Sequence, residues 1–303
     1  MSVLIAGSVA LDDLKTPFGE KKNILGGSAV HASVSASFFT PVDLVGVVGK
    51  DFPKEHIDFL ESRRIGLDGL KITDGKTFHW DGYYEFDMNE AHTIKTDLNV
   101  LADFDPVLND RQKNSDFVFL ANLTPGTQLN IISQLKKPKL IMADTMNFWI
   151  EHSRQQLIEV VKKTDIMLLN ESEARQLMGT PNLITAAKEL IKLGAKCVII
   201  KKGEHGALLF TKTLHFSAPS FPQENLTDPT GAGDSFAGGV IGYLAKSDDL
   251  SDLNIKRAVI IGSVMASFNV EDFSLDRLRR LSEREITERY EMIRKYSIFD
   301  CLP

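Results

Sequence analysis

The sequence predicts an α/β protein: a doubly wound, mostly parallel sheet with helices on both faces, plus a small β-sheet lid. Three observations predict it. From Phe117 onward, short apolar runs alternate with helical patterns, which is the rhythm of βαβ units. The chain opens on two further apolar runs, each ending in glycine, that read as buried parallel strands. Between these regions lies "KTFHWDGYYEF", whose two-residue alternation belongs to a half-buried strand of a separate sheet.

The elements follow in chain order. "VLIAG" (Val3–Gly7) is the first buried strand. "GGSAVHASVSASFF" places small residues at helical spacing, and "VDLVGVVG" is the second strand. "FPKEHIDFLESRRIG" has a helical pattern that Gly66 is expected to close. In Lys76–Phe86 the alternation sets Phe78, Trp80, Tyr84 and Phe86 on one face and Thr77, His79, Asp81 and Glu85 on the other. "EAHTIKTDL" is its expected partner strand, and the segment after Asp13 joins them in the lid. The strands "FVFLA", "KLIMAD", "DIMLLN" and "CVIIKKG" then alternate with helices in "TQLNIISQL", "EHSRQQLIEVVKK", "ESEARQLMG" and "LITAAKELIKLG". Helices are expected at Ser235–Lys246, Ile255–Phe268 and near Ser282–Lys295. One domain spanning residues 1–303 is expected, its lid formed mainly by residues about 76–98 and by 13–24.

Composition narrows the function. Of 303 residues, 43% are hydrophobic and 25% charged, as in globular chains that bury a full core. A net charge of −6 argues against a nucleic-acid partner, which calls for a basic face. No run of about 18 apolar residues occurs, so no membrane span is expected. "MSVLIAGSVALDD" lacks a basic n-region and reads as a strand, not a signal peptide. Cys197 and Cys301 stand far apart and form neither a disulfide framework nor a metal motif. A cytoplasmic protein acting on a small molecule is expected.

The chemistry concentrates in "DPTGAGDSFAGG", Asp228 to Gly239. It is not a Walker A loop, and "GVVGKD" has the wrong spacing for one. It is not the dinucleotide fingerprint either, because Phe236 stands where the third glycine belongs. What remains is a turn opening a helix. Pro229 fixes φ at the approach, and Gly231 and Gly233 permit successive N–H groups to point one way. Such a hole suits the charge that develops on a transferring phosphoryl group. Asp234, beside the hole, is then placed to take the proton of an attacking hydroxyl. The plainer reading of Asp234 alone is a helix N-cap.

With these residues in view, "DPTGAGDSFAGG" resembles the C-terminal signature of the ribokinase-like, or PfkB, family of carbohydrate and nucleoside kinases. The resemblance covers nearly the whole chain. "GSVALD" resembles the family's first strand, whose terminal Asp, here Asp12, holds substrate hydroxyls. "GGSAVHAS" resembles its double-glycine motif, which sets Gly26 and Gly27 against the sugar. "GVVGKDF" matches the turn after the next strand. "NESE" resembles N-x-x-E, in which Asn170 and Glu173 organise magnesium, water and phosphates. "KKGEHGA" resembles the segment near the nucleotide, with Gly203 and Gly206. The resemblance implies a doubly wound α/β domain with a β lid. It further implies ATP as co-substrate, Mg2+ held through water by Glu173, a monovalent cation such as K+ at Asp228, and a homodimer through the lid. The catalytic set it implies is Asp234 with the amides of Gly231, Ala232 and Gly233. The nucleotide set is Asn170, Glu173, Lys201, Gly203, Gly206 and Thr230.

Departures from the family pattern bear on the acceptor. Ribokinases carry Asn where this chain has Ala10, Lys where it has Ser28, and Asn where it has His31. Many sugar-specific members show Asp-x-Asn-x-Arg, whereas here "DTMNFW" runs from Asp144 to Trp149 without Arg. Lys201 replaces a phosphate-facing Thr and is expected to neutralise phosphate. The substrate set is then Asp12, Gly26, Gly27, Ser28, His31 and Asn147, although a lone His among small residues is ordinarily structural. The expected acceptor is a sugar or sugar derivative, with a nucleoside as the alternative and a non-catalytic sensor a distant third. Arg277, Arg279, Arg280 and Arg284 read as a solvated helical face.

Overall fold

The computed structural model describes residues 2–298; Cys301 lies outside them. Its strands are β1 (Val3–Ala6), β2 (Ala10–Thr16), β3 (Gly19–Gly26), β4 (Val42–Gly49), β5 (Ile65–Thr73), β6 (Phe78–Tyr84) and β7 (Ala91–Asp97) in the first part of the chain. Then come β8 (Phe117–Leu120), β9 (Leu140–Ala143), β10 (Ile166–Asn170), β11 (Cys197–Lys201), β12 (Ala207–Thr211) and β13 (His215–Ala218). The helices are α1 (Ser28–Ala36), α2 (Lys54–Ser62), α3 (Asp110–Lys113), α4 (Pro125–Gln134), α5 (Asn147–His152) and α6 (Arg154–Lys163). They continue with α7 (Glu171–Met178), α8 (Leu183–Leu193), α9 (Ala232–Ser247), α10 (Asp252–Asn269), α11 (Asp276–Arg280) and α12 (Glu283–Tyr296).

Nine strands form the main sheet in the order β13-β12-β11-β10-β9-β8-β1-β4-β5. It is parallel except at one edge, where β12 and β13 run antiparallel to their neighbours. Its strands read Val/Ile/Leu-rich because both faces are covered. One face packs on α1, α9, α10 and α12 through residues such as Val34, Phe236, Val259 and Ile286. The other packs on α4, α6, α7 and α8 through Ile131, Leu157, Ala174 and Leu190.

The second sheet, in the order β3-β2-β6-β7, stands apart from the first. β2 and β6 pair in parallel, and the two outer pairs are antiparallel. Its placement follows from the chain path, since β2 continues directly from β1. The expected faces hold for most of β6: Asp13 and His79 pair on one side at 3.4 Å, while the Trp80 ring lies over Gly82 on the other. Phe86 is a correction, because it falls beyond the end of β6 and is 88% exposed. β7 carries one extra residue, Ile94, opposite Asp81 and Gly82, a bulge that twists this edge.

Three further expectations are corrected. α2 ends at Arg63 and the chain reverses at Arg64, whose φ is 61°, so Gly66 is not a stop but part of β5. The β5 strand and the β12–β13 hairpin are not anticipated from the sequence. Of the four arginines, Arg279, Arg280 and Arg284 are exposed as expected, but Arg277 pairs with both Glu271 and Glu285 at 2.6 Å, and Arg289 joins Glu271 from the other side.

Candidate active site

Most of the candidate residues gather at the carboxyl edge of the parallel strands, where open α/β sheets hold their ligands. Asp12 follows β1 on the second sheet, Asp144 ends β9, Asn170 ends β10 and Lys201 ends β11. Opposite them lies the N-terminus of α9.

Asp12 is 6% exposed, and its carboxylate lies against the α-carbon of Gly26. A β-carbon there would come within 1.9 Å of Oδ2, so only glycine leaves room. Oδ1 is buried and has no hydrogen-bond partner among the described residues. Burial, with the charges of Asp228, Asp13 and Asp234, pushes this carboxyl up to about 8. An acceptor that brings hydroxyl donors would satisfy Oδ1 and relieve the penalty. Tyr84 enters from β6, where its hydroxyl meets Thr230 Oγ1 at 3.4 Å. Burial first, and then the nearby carboxylates, push this phenol up to about 12, so it stays protonated.

The glycine turn is locked from several sides. Asp228, fully buried, accepts the N–H of Thr230 through Oδ1 and that of Ser274 through Oδ2, both at 2.8 Å. Ala232 N–H donates to Pro229 O at 3.1 Å, and Ser235 N–H to Gly231 O at 2.8 Å. Of the three amides expected to face an anion, that of Ala232 is engaged within the turn, while those of Gly231 and Gly233 are left without a backbone partner among the described residues. Asp234 stands in the first turn of α9. Burial and then Asp144 push its carboxyl up to about 7, against the pull of Lys201 and of its own N–H.

Lys201 Nζ sits beside this turn, 3.2 Å from where a β-carbon on Gly233 would lie. It pairs with Asp144 Oδ2 at 2.5 Å. Burial works against its charge, but Asp144 and Glu173 outweigh that and hold the ammonium above its ordinary range. Asn170 and Glu173 form a capping box: Asn170 Oδ1 accepts from Glu173 N, and Glu173 Oε2 accepts from Asn170 N. Glu173 is nonetheless 7% exposed, and burial with the Asp144 charge pushes it up to about 7. Its Oε1 has no protein partner among the described residues.

Other expected residues have different neighbours. His31 is 2% exposed; its ring lies under Gly231, and Nδ1 meets Asn269 Oδ1 at 3.0 Å. Burial pushes it down to about 4, so the ring is neutral. The Ser28 hydroxyl meets the Ser8 hydroxyl at 3.0 Å, and Ser28 N–H donates to the same Ser8 oxygen. Gly27, at φ 99°, lets the Ser8 carbonyl approach α1. The Ser28 and His31 side chains are thus spent on bonds within the protein. Asn147 is corrected more strongly: it is exposed and lines a surface groove with Glu151, Arg175 and Gln176. The reason is local, since its Oδ1 accepts Phe148 N–H at the start of α5. Gly203 and Gly206 flank the short 3₁₀ turn between β11 and β12.

Residues 8–277 match the family described as pfkB family carbohydrate kinase. The chain belongs to this family. A cytidine kinase of Thermococcus kodakarensis is 28% identical over 265 residues, covering 85% of this chain and 95% of that protein. The crystal structure of Methanocaldococcus jannaschii nucleoside kinase matches with a TM-score of 0.78 at 20% identity, covering 96% of this chain and 98% of that one. Burkholderia thailandensis nucleoside kinase in complex with ADP-inosine matches with a TM-score of 0.79 at 16% identity, over 97% and 96%. At these identities the structural likeness establishes the shared fold.

Kinases of the pfkB family use ATP and a divalent metal. The residues here fit such an ion. No group of three or more His, Cys, Asp or Glu forms a metal cage among the described residues. A hard cation that keeps its water and phosphate ligands requires only an oxygen such as Glu173 Oε1 nearby. No helix among the described residues is long and apolar enough to cross a membrane. Asn269, behind the turn, has no place in the sequence reading, whereas Asp144 and Tyr84 appear there without the Lys201 and Thr230 contacts they make here. The sequence signals are "DTMNFW" for Asp144 and the aromatic alternation for Tyr84, with none for Asn269.

Proposed function

We propose that this protein is an ATP-dependent, magnesium-requiring kinase that phosphorylates the hydroxymethyl group of a nucleoside. The observation that carries the acceptor chemistry is the buried Oδ1 of Asp12, which has no partner among the described residues and lies near Tyr84 and Asp234. Ribose hydroxyls donating to Asp12 would leave the hydroxymethyl group to approach Asp234. Asp234 accepts its proton as the oxygen attacks the γ-phosphorus, the bond from that phosphorus to the bridging β-phosphate oxygen breaks, and ADP leaves. The N–H groups of Gly231 and Gly233 meet the charge on the transferring group. Glu173 would hold a hydrated magnesium ion near the nucleotide, and such an ion would neutralise phosphate charge.

What favours a nucleoside over a free sugar is the similarity to a cytidine kinase across 95% of that relative's length. The departures at Ala10, Ser28 and His31 from the ribokinase pattern weigh against ribose itself without choosing between a nucleoside and another sugar. A free sugar is the second reading, supported by 31% identity to a bifunctional ribokinase over 46% of this chain. Screening nucleosides and sugars for ADP release decides between them. Cytidine or another nucleoside should be turned over well ahead of ribose and fructose. Efficient turnover of a free sugar with none of any nucleoside reverses the assignment.

A further inference from the structure

Asn269 closes α10 and is fully buried. Its Oδ1 receives two contacts, from His31 Nδ1 at 3.0 Å and from Ser235 Oγ at 2.9 Å. Its Nδ2 donates to the carbonyl of Thr230 at 2.7 Å. The network settles which end of the amide is which. Turned the other way, Oδ1 would face the Thr230 carbonyl, acceptor against acceptor, while Nδ2 faced the serine and histidine.

The grip on Thr230 matters because of what shares its peptide plane. A trans peptide holds its C=O and N–H antiparallel within one rigid unit. The Thr230 carbonyl and the Gly231 N–H belong to the same unit. With the carbonyl drawn inward to Asn269, the Gly231 N–H must point outward, toward the site. Gly231 alone would not hold this orientation, since its φ of 73° is one of many that glycine adopts freely. His31 completes the support, because its ring fills the space where a side chain on residue 231 would lie.

We infer that Asn269, backed by His31 and Ser235, is a positioning residue that aims the Gly231 N–H into the anion hole. The inference rests on the reading of this turn as the phosphoryl-binding element. It also gives His31 a place in the reaction other than acceptor contact.

The test uses Asn269→Leu, which keeps the side-chain volume but removes both polar ends, and Asn269→Ala. Two measurements run side by side on the full chain. In the first, kcat should fall about 10-fold or more in both variants, with KM for ATP and acceptor within about threefold, as for loss of a donor used mainly in the transition state. In the second, protein labelled with 15N-glycine is titrated with inorganic phosphate. The Gly231 amide signal should shift in the wild type and lose that response in both variants. A packing role alone predicts that Asn269→Leu keeps kcat and the phosphate response, and that outcome overturns the inference. So does a wild-type Gly231 signal that ignores phosphate. If the wild type phosphorylates no acceptor yet Gly231 responds in an Asn269-dependent way, the kinase reading fails and the positioning role stands. If the wild type turns over while the variants match it in both measurements, the reverse holds.

Discussion

Lys201 Nζ lies 2.5 Å from Asp144 Oδ2, so the cation expected to face phosphate already has a carboxylate partner. Glu173 and Asp234 also feel its charge. One buried ammonium thus acts electrostatically on three carboxylates, Asp144, Glu173 and Asp234.

The first prediction follows from the sign of that coupling. Lys201 pulls the Asp234 carboxyl down, while burial and Asp144 hold it up at about 7. A general base works deprotonated, so the rate should rise with pH through that region. Lys201→Met removes the downward pull, and the Asp234 value moves higher. The acid limb of kcat/KM should therefore shift to higher pH, with activity at pH 6.5 falling more than activity at pH 8.5. Profiles recorded between pH 5.5 and 9 check this; a limb that stays in place means Lys201 does not act on the base.

Asp234→Asn tests the base itself. The variant keeps its place in the first turn of α9 but cannot accept a proton, so kcat should drop by roughly 10²–10⁴. Nucleotide affinity, measured by calorimetry with ADP and magnesium, should stay within a few-fold of wild type. Turnover within about threefold of wild type would assign Asp234 to helix capping.

How much of this was legible in the sequence depends on separation along the chain. The glycine turn and Asp234 lie within a few residues of one another, and so do Asn170 and Glu173, so spacing and turn chemistry exposed each group on its own. Lys201 and Asp144 are 57 positions apart, and His31 and Asn269 are 238 apart. No local pattern joins such pairs; only the fold does. Lys201 was therefore read with its charge but without its partner, and His31 as a substrate contact when its ring is walled in behind Gly231. The parallel strands were readable because burial on both faces makes them continuously apolar. β5 escaped because "IGLDGLKIT" interrupts its apolar residues with glycine, aspartate and lysine. Asn147 misled because its motif position outweighed its ordinary role at a helix start.

Glu173 separates structure from function in one substitution. The capping box uses Oε2 as acceptor, and a glutamine carbonyl can replace it. Glu173→Gln should keep the thermal midpoint within a few degrees of wild type. It removes the charge available to a hydrated cation, so the magnesium concentration for half-maximal rate should rise several-fold. An unchanged magnesium titration would leave Glu173 as a cap alone.

Asp12 carries the last prediction, which couples stability to function. In the folded protein its carboxyl is held up to about 8 from an ordinary 3.8, chiefly by burial and then by Asp228. Between those values the folded state keeps a proton that the unfolded chain has released. Stability from this group is thus complete below about pH 4 and is lost as pH rises through about 8. Glu173, Asp228 and Asp234 are also shifted upward and act with the same sign. The ligand-free protein should therefore melt at a lower temperature at pH 8.5 than at pH 6. Asp12→Asn abolishes one such titration, so it should raise the melting temperature at pH 8.5 by roughly 2 °C or more and by about half as much at pH 6. The same variant loses the carboxylate that acceptor hydroxyls would pair with, so kcat/KM for the acceptor should fall on the order of 10²-fold, with ATP affinity barely changed. Thermal melts at both pH values, paired with acceptor kinetics, check the two halves together. Equal stabilisation at pH 6 and pH 8.5 would mean that Asp12 does not titrate on unfolding, and an unchanged acceptor kcat/KM would place the acceptor elsewhere.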